Sequence, residues 1–255
     1  MELTDRVVLV TGAATGLGRA TALEFARRGA RAVAINHRGR HEEAAAVARQ
    51  VEAGGCEALP VRADVRADAD VRAMIASVHA RFGRLDVLIN NAGMTHWVPF
   101  RDLDGLSDEM WDEILDVNLV GAFRCARAAA PLLTESSGAV VNVSSISGVL
   151  ALETASSIAY SASKAALISL TKSLAVALAP RVRVNAVAPA FTDTDWMREH
   201  YGATYADRVA AASRTFPLGR IARPEDVAAA IVALVTAGDY ITGQTLLVDG
   251  GRSVV

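Results

Sequence analysis

The sequence is short of the features that mark several large classes of protein. Only two cysteines, Cys56 and Cys125, occur in 255 residues, and they stand far apart. They fit no disulfide framework, metal-ligand spacing or redox motif, so no metal site is expected, and a reduced cytoplasmic compartment is the expected setting. No uncharged apolar stretch reaches the roughly 18 residues of a membrane span. The opening MELTDRVVLV carries acidic residues and runs straight into a strand pattern, unlike a secretory signal. Neither charge sign prevails: charged residues make up 21% and the formal net charge is −2. That leaves no basic field for nucleic acid and no acidic tail. Linkers, repeats and low-complexity tracts are missing too. What remains is a chain long enough to bury a sizeable core, as one large α/β domain or two smaller ones.

Seven short apolar runs are present, at residues 6–10, 32–35, 57–61, 85–89, 139–143, 182–187 and 244–248. Where they lack polar alternation, they read as strands buried on both faces. Helical patterns separate most of them, among them 41–55, 70–81, 107 to about 133, 158–179 and 224–235. Strands alternating with helices predict a doubly wound α/β sheet of seven parallel strands with helices on both faces. A single domain over 1–255 is expected, with the aromatic-rich stretch 191–216, which has no strand pattern, as a substrate lid.

Several of these strands end in residues suited to binding. After the first comes Thr11-Gly12-Ala13-Ala14-Thr15-Gly16-Leu17-Gly18, and then a helix that stops near Gly29. Its glycines let the backbone turn tightly, and the following helix aims its N-terminal amides at a phosphate. The second run ends in Asn36-His37-Arg38, where a dinucleotide-binding unit meets the adenosine ribose. An acidic residue there would suit NAD. Neutral Asn36 with Arg38 and Arg40 behind it favours NADP and makes Arg38 the expected phosphate partner, with NAD as the alternative. Asp64-Val65 follows the third strand, placed for Asp64 to accept from an adenine amino group or to cap the next helix. The fourth run ends in Asn90-Asn91-Ala92-Gly93, small residues that permit close approach and asparagines that tie loops or meet the cofactor. Asn118 falls inside a predicted helix beside an apolar face, which suggests a distorted turn or a bound water. The fifth strand closes on Ser144-Ser145 and the sixth on Pro189-Ala190-Phe191-Thr192-Asp193-Thr194. His96 has no serine or cysteine partner at a readable spacing, so it is expected at a pocket rim rather than in a triad.

Tyr160 and Lys164 stand four apart at the start of an Ala- and Leu-rich helical run, so they share one face. An ammonium beside a phenol favours the phenolate, which moves a tyrosine toward acid–base work. Alone, the pair also fits an aromatic stem covered by a lysine.

Together, TGAATGLG, NNAG, Asn118, the NVSS strand end, YSASK, PAFTDT and ITGQTLLVDGG are in an order and spacing that resembles the short-chain dehydrogenase/reductase family over essentially the whole chain. The resemblance implies a nicotinamide-dependent oxidoreductase. Tyr160 would be the general acid/base, Lys164 would lower its pKa and bond the nicotinamide ribose, Ser145 would hold the substrate oxygen, and Asn118 would position a water relaying protons to Lys164. It also implies cofactor contacts from Gly12, Thr15, Gly16, Leu17, Gly18, Asn36, Arg38, Asp64, Val65, Asn91, Ala92, Gly93, Tyr160, Lys164, Pro189, Thr192 and Thr194, and a homotetramer. Substrate contacts are expected from Ser145, His96, Leu152 and Trp196.

Three departures stand out. The Ser145–Tyr160 spacing is longer than usual, which places an insertion within 149–157 and leaves Ser147 as an alternative to Ser145. Ala190 replaces a usual glycine, and Thr15 stands where many NADP-preferring relatives carry a basic residue. The nearest-looking relatives are 3-oxoacyl-carrier-protein reductases and glucose and other sugar dehydrogenases. The Thr134-Glu135-Ser136-Ser137 turn lacks the Lys and Arg an acidic carrier would need, so a free small-molecule carbonyl or alcohol is favoured. Leu150, Leu152, Trp196 and Phe216 suit a hydrophobic one, while Glu153 and His96 leave room for a polar one. A non-catalytic dinucleotide-sensing regulator is the rival from another class, and the full Asn118, Ser145, Tyr160, Lys164 set speaks against it.

Overall fold

The computed structural model describes residues 1–152 and 156–255. Seven strands, β1 (Val7–Val10), β2 (Ala32–His37), β3 (Glu57–Arg62), β4 (Val87–Asn90), β5 (Ala139–Val143), β6 (Arg183–Pro189) and β7 (Thr245–Val248), form one parallel sheet in the order β3-β2-β1-β4-β5-β6-β7. Helices connect them: α1 (Gly16–Arg27), α2 (His41–Ala53), α3 (Asp68–Phe82), α4 (Asp108–Leu115), α5 (Ala122–Ser136), α6 (Ile158–Ala177), α7 (Asp195–Tyr201), α8 (Tyr205–Ser213) and α9 (Pro224–Thr236). All seven predicted strands are present.

The inner strands β1, β2, β4, β5 and β6 are buried along almost their whole length because both faces of the sheet are covered there, while the edge strands β3 and β7 are partly exposed. Successive side chains alternate between two cores. Val8 and Val10 of β1 face Phe25, Val47 and Ile231 from α1, α2 and α9. Val7 and Leu9 face Met74, Val78, Leu133 and Leu174 from α3, α5 and α6. Each such side chain, fully buried, stabilises the fold by about 1.5–3 kcal/mol. Because β1 lies between β2 and β4, the chain winds outward in both directions from it. That reversal opens a crevice at the carboxyl ends of β1 and β4.

The helix predicted from 107 to about 133 is broken. Between α4 and α5 runs a π-helical turn, Asp116–Gly121, with buried Asn118 in its middle. A wider turn swings Asn118 inward instead of leaving it on a solvent face. The turn also packs tightly on the β3–α3 loop, since a Cβ at Gly121 would lie 2.9 Å from Val65 Cγ2. The predicted lid, 191–216, holds α7 and α8 joined by a short turn at Gly202–Thr204. The stretch 149–157, expected to hold the insertion, includes residues 153–155 outside the described residues, and Glu153 is among them.

Candidate active site

The crevice opens into a cavity of about 900 Å³ lined from β1, β2, β4, β5, β6 and the lid. Every predicted site residue lines it except Asn118 and His96.

At one end the glycine loop turns from β1 into α1 with positive φ at Gly12 (62°) and Gly16 (53°). Gly18 tolerates no side chain, because a Cβ there would meet Gly12 O at 2.2 Å and Asn91 Nδ2 at 2.5 Å. Asn91 clamps this loop to β4, donating to Thr11 O (2.8 Å) and Gly12 O (3.1 Å). The Thr11 hydroxyl answers by accepting from the Asn91 and Ala92 amides. Asn36 is buried and fully engaged: Gly12 N donates to its Oδ1, and its Nδ2 donates to Ala63 O. It therefore ties β1, β2 and β3 together. Arg38 beside it is exposed, lines the cavity, and makes no ion pair among the described residues. Arg40 is held by Glu43.

Asp64 lines the cavity but does not cap α3, whose N-cap is Ala67. Its carboxylate instead accepts from Arg66 N and chelates the Arg66 guanidinium at 2.7 Å, which holds its pKa low.

At the centre, β5 delivers Ser145 and α6 delivers Tyr160 and Lys164. Ser157 caps α6 by accepting from Tyr160 N, and Ser144 Oγ donates to Lys164 O at 2.7 Å, so helix and strand end are pinned together. The Ser145 hydroxyl faces the Tyr160 phenol closely enough to favour its charged form, and its Oγ accepts from Ser147 N at 3.1 Å. Ser145, not Ser147, is thus the hydroxyl against the tyrosine. Lys164 is buried, donates to Val143 O at 2.9 Å, and lies 5.5 Å from the Tyr160 ring centroid.

Burial works against one expectation. From sequence, Lys164 is expected to lower the Tyr160 pKa. In this structure burial dominates and pushes the phenol up to about 12, opposed by the polar Ser145 side chain. Burial also brings the Lys164 ammonium down to about 8, since desolvation disfavours its charged form. Tyr160 is accordingly protonated at neutral pH, in the form that donates a proton.

Two of the predicted residues lie off the cavity lining. Asn118 sits behind the cavity wall, and its side chain is spent on structure. Its Oδ1 accepts from Met94 N (2.8 Å), and its Nδ2 donates to Met94 O and Ser163 Oγ. His96 turns away from the cavity to bond Glu113 of α4 at 2.8 Å. Its neighbour Trp97 takes the pocket position instead, stacked on His200 of α7 with centroids 3.5 Å apart and rings 6° from parallel. Trp196, Leu152 and Phe216 line the cavity, and Leu150 does not. Thr194 lies over the glycine loop, with its Cγ2 3.7 Å from where a Gly16 Cβ would stand. Thr192 Oγ1 donates to Ala190 O, and Ala190 N continues the sheet by donating to Val248 O.

Sequence inspection misses the residues that hold this centre in place. Ser163 bridges Asn118 to the Tyr160 carbonyl. Gly148 lets α6 settle on the strand end, because a Cβ there would meet the Lys164 carbonyl carbon at 2.6 Å. A glycine three residues after a strand-end serine was the available signal for the second; the first carries none of its own.

Residues 12–253 match the family model described as enoyl-(acyl carrier protein) reductase. The chain is 41% identical over 258 residues to 3-oxoacyl-(acyl-carrier-protein) reductase FabG of Staphylococcus aureus, covering 98% of this chain and 99% of the relative. It is 42% identical over 254 residues to cis-4-hydroxycyclohexanecarboxylate dehydrogenase of Sinomonas cyclohexanicum, covering 98% of each. The solved structure of a short-chain type dehydrogenase/reductase from Mycobacterium marinum superposes with a TM-score of 0.88 at 33% identity, covering 100% of this chain and 98% of that one. Sequence, fold and site converge: the chain belongs to the short-chain dehydrogenase/reductase family, oxidoreductases that work with a nicotinamide cofactor.

Proposed function

We propose that the protein is an NADP(H)-dependent enzyme interconverting a small to medium ketone and its secondary alcohol, folded as one domain with 191–216 as its lid. The observation that carries this reading is that Ser145, Tyr160 and Lys164 line one wall of the cavity together, with the Lys164 ammonium 5.5 Å from the Tyr160 ring centroid. The bound nicotinamide supplies or accepts the hydride. In reduction the Tyr160 hydroxyl gives its proton to the carbonyl oxygen, and in oxidation it takes one from the alcohol. Ser145, held by Ser147 N, donates to the same oxygen as negative charge develops there. Lys164 supports the phenolate that reduction leaves behind and reaches the nicotinamide ribose. Both polar atoms of the Asn118 side chain are engaged, so its contribution to a proton relay is the placement of the Met94 loop.

The residues present fit a dinucleotide. The side-chain-free surface at Gly18 and the start of α1 suit a pyrophosphate. Asp64 and Val65 would hold the adenine, Asn91, Ala92 and Gly93 the middle of the molecule, and Pro189, Thr192 and Thr194 the nicotinamide end, all of them on the cavity wall. Asn36 is spent on backbone partners and brings no negative charge, while Arg38 has a free guanidinium on the cavity wall, which supports NADP. Comparing kcat/KM for NADPH and NADH with a simple diketone tests this. NADPH is expected to lead by about tenfold or more, the worth of one charge-assisted contact, and Arg38→Gln should narrow the gap. Equal use of both cofactors would contradict the NADP assignment.

A further inference from the structure

The cavity continues past Tyr160 along an aromatic wall. The Trp196 ring lies 6.3 Å from that of Tyr160, Trp97 lies 5.8 Å from Trp196, and Tyr201 lies 5.9 Å from Trp97. At the far end of this wall stands a cation, the Arg208 guanidinium of α8, 5.4 Å from the Tyr201 ring centroid. The lid holds three arginines, and they differ in what they face. Arg198 is neutralised by Asp193 at 2.6 Å. Arg214 does not line the cavity, whereas Arg208 does. Among the described residues Arg208 has no ion pair; its guanidinium lies over the Tyr201 ring, and His200 is near enough to feel its charge. A guanidinium laid against a ring keeps its fork of donors free at the edge, in the geometry that grips a carboxylate or phosphate with two hydrogen bonds.

We propose that Arg208 is a specificity-determining residue that holds an anionic group, a carboxylate or a phosphate, at the end of the substrate remote from the reacting carbonyl. The inference rests on the ketone–alcohol reading of the site and names the substrate class within it. The aromatic wall between Tyr160 and Arg208 then takes the apolar middle of the substrate. Glu199 of α7 also lines this cavity, and its carboxylate opposes the anion. Its position sets how strongly the anion is preferred over a neutral tail. Arg208 is exposed, so the contact is made in partial solvent and affects chiefly KM.

Two matched substrate pairs test the proposal and separate the two anions. One is ethyl 3-oxohexanoate against the monoethyl ester of 3-oxoadipate with its free carboxylate remote from the ketone. The other is the 3-oxobutanoyl thioester of pantetheine against that of 4′-phosphopantetheine. In at least one pair the wild-type enzyme is expected to favour the anionic member by about two- to fivefold in kcat/KM. Arg208→Gln should abolish that ratio through KM, Arg208→Lys should restore part of it, and Glu199→Gln should raise it. Arg214→Gln should leave the ratio where it is. Equal kcat/KM within both pairs, or a ratio that survives Arg208→Gln, overturns the assignment of Arg208. If none of the four ketones is reduced with either nicotinamide cofactor, the underlying reading of the site fails instead.

Discussion

The two halves of the cavity are built on different principles. The cofactor half is made of backbone held at strand ends by buried polar side chains: Asn36 ties three strands, Asn91 and Thr11 lock the glycine loop, and Asn118 clamps Met94. The substrate half is made of rings and long side chains on short lid helices, where α7 and α8 bury no residue fully. Buried hydrogen-bonded networks tolerate little change, since an orphaned partner costs about 1–3 kcal/mol. Exposed ring contacts are individually smaller and can be rearranged. One half fixes which cofactor geometry is possible, and the other can change its substrate without disturbing the fold.

Substitutions that should affect one half alone would break this comparison if they affected both. The largest effect is expected at Gly18. Gly18→Ala places a methyl 2.2 Å from Gly12 O, so the loop must move. Destabilisation by about 1–3 kcal/mol is expected, together with loss of most dinucleotide affinity, read by thermal melting and cofactor titration. Gly39→Ala, where a Cβ meets nothing within 4 Å, serves as the control from the same half. A smaller and different effect is expected at Trp97. Trp97→Ala removes the His200 stack and the contacts to Trp196 and Tyr201. With aromatic pairs worth about 0.5–1.5 kcal/mol, the ketone KM should rise by up to about tenfold while the dinucleotide Kd moves far less. Equal losses in both constants would mean that the halves are mechanically coupled.

The same contrast explains what could be read from the sequence. Parallel strands buried on both faces leave unbroken apolar runs, so all seven strands and the two-sided helix arrangement were legible. The cofactor half was legible because small residues at strand ends are conspicuous against those runs, as in Gly12–Gly18 and Asn90–Gly93. Tertiary choices were not. His96 and Trp97 are neighbours, and only the fold decides that the tryptophan enters the cavity while the histidine pairs with Glu113. A distorted turn at Asn118 was legible from a polar residue beside an apolar face, but its π-helical form and the Met94 and Ser163 partners it finds were not. Spacing also brings Lys164 beside Tyr160, yet the direction of the phenol's pKa depends on how much water reaches the ring.

The central claim, that Tyr160 moves the proton, is tested most directly by the pH dependence of alcohol oxidation in the wild type and in Tyr160→Phe. Oxidation requires the phenolate. With the phenol's pKa raised to about 12, the phenolate is scarce at neutral pH and its population grows tenfold per unit as pH rises. Reduction uses the protonated phenol, which is fully present across the neutral range. The expected result is a kcat/KM for oxidation that climbs between pH 6 and 8, below the value of about 8 where Lys164 gives up its charge, with no such climb for reduction. Tyr160→Phe should lose about 10²–10⁴-fold of activity in both directions and the pH-dependent climb with it, while still binding the dinucleotide. Wild-type-like oxidation with the same climb in Tyr160→Phe would contradict the account.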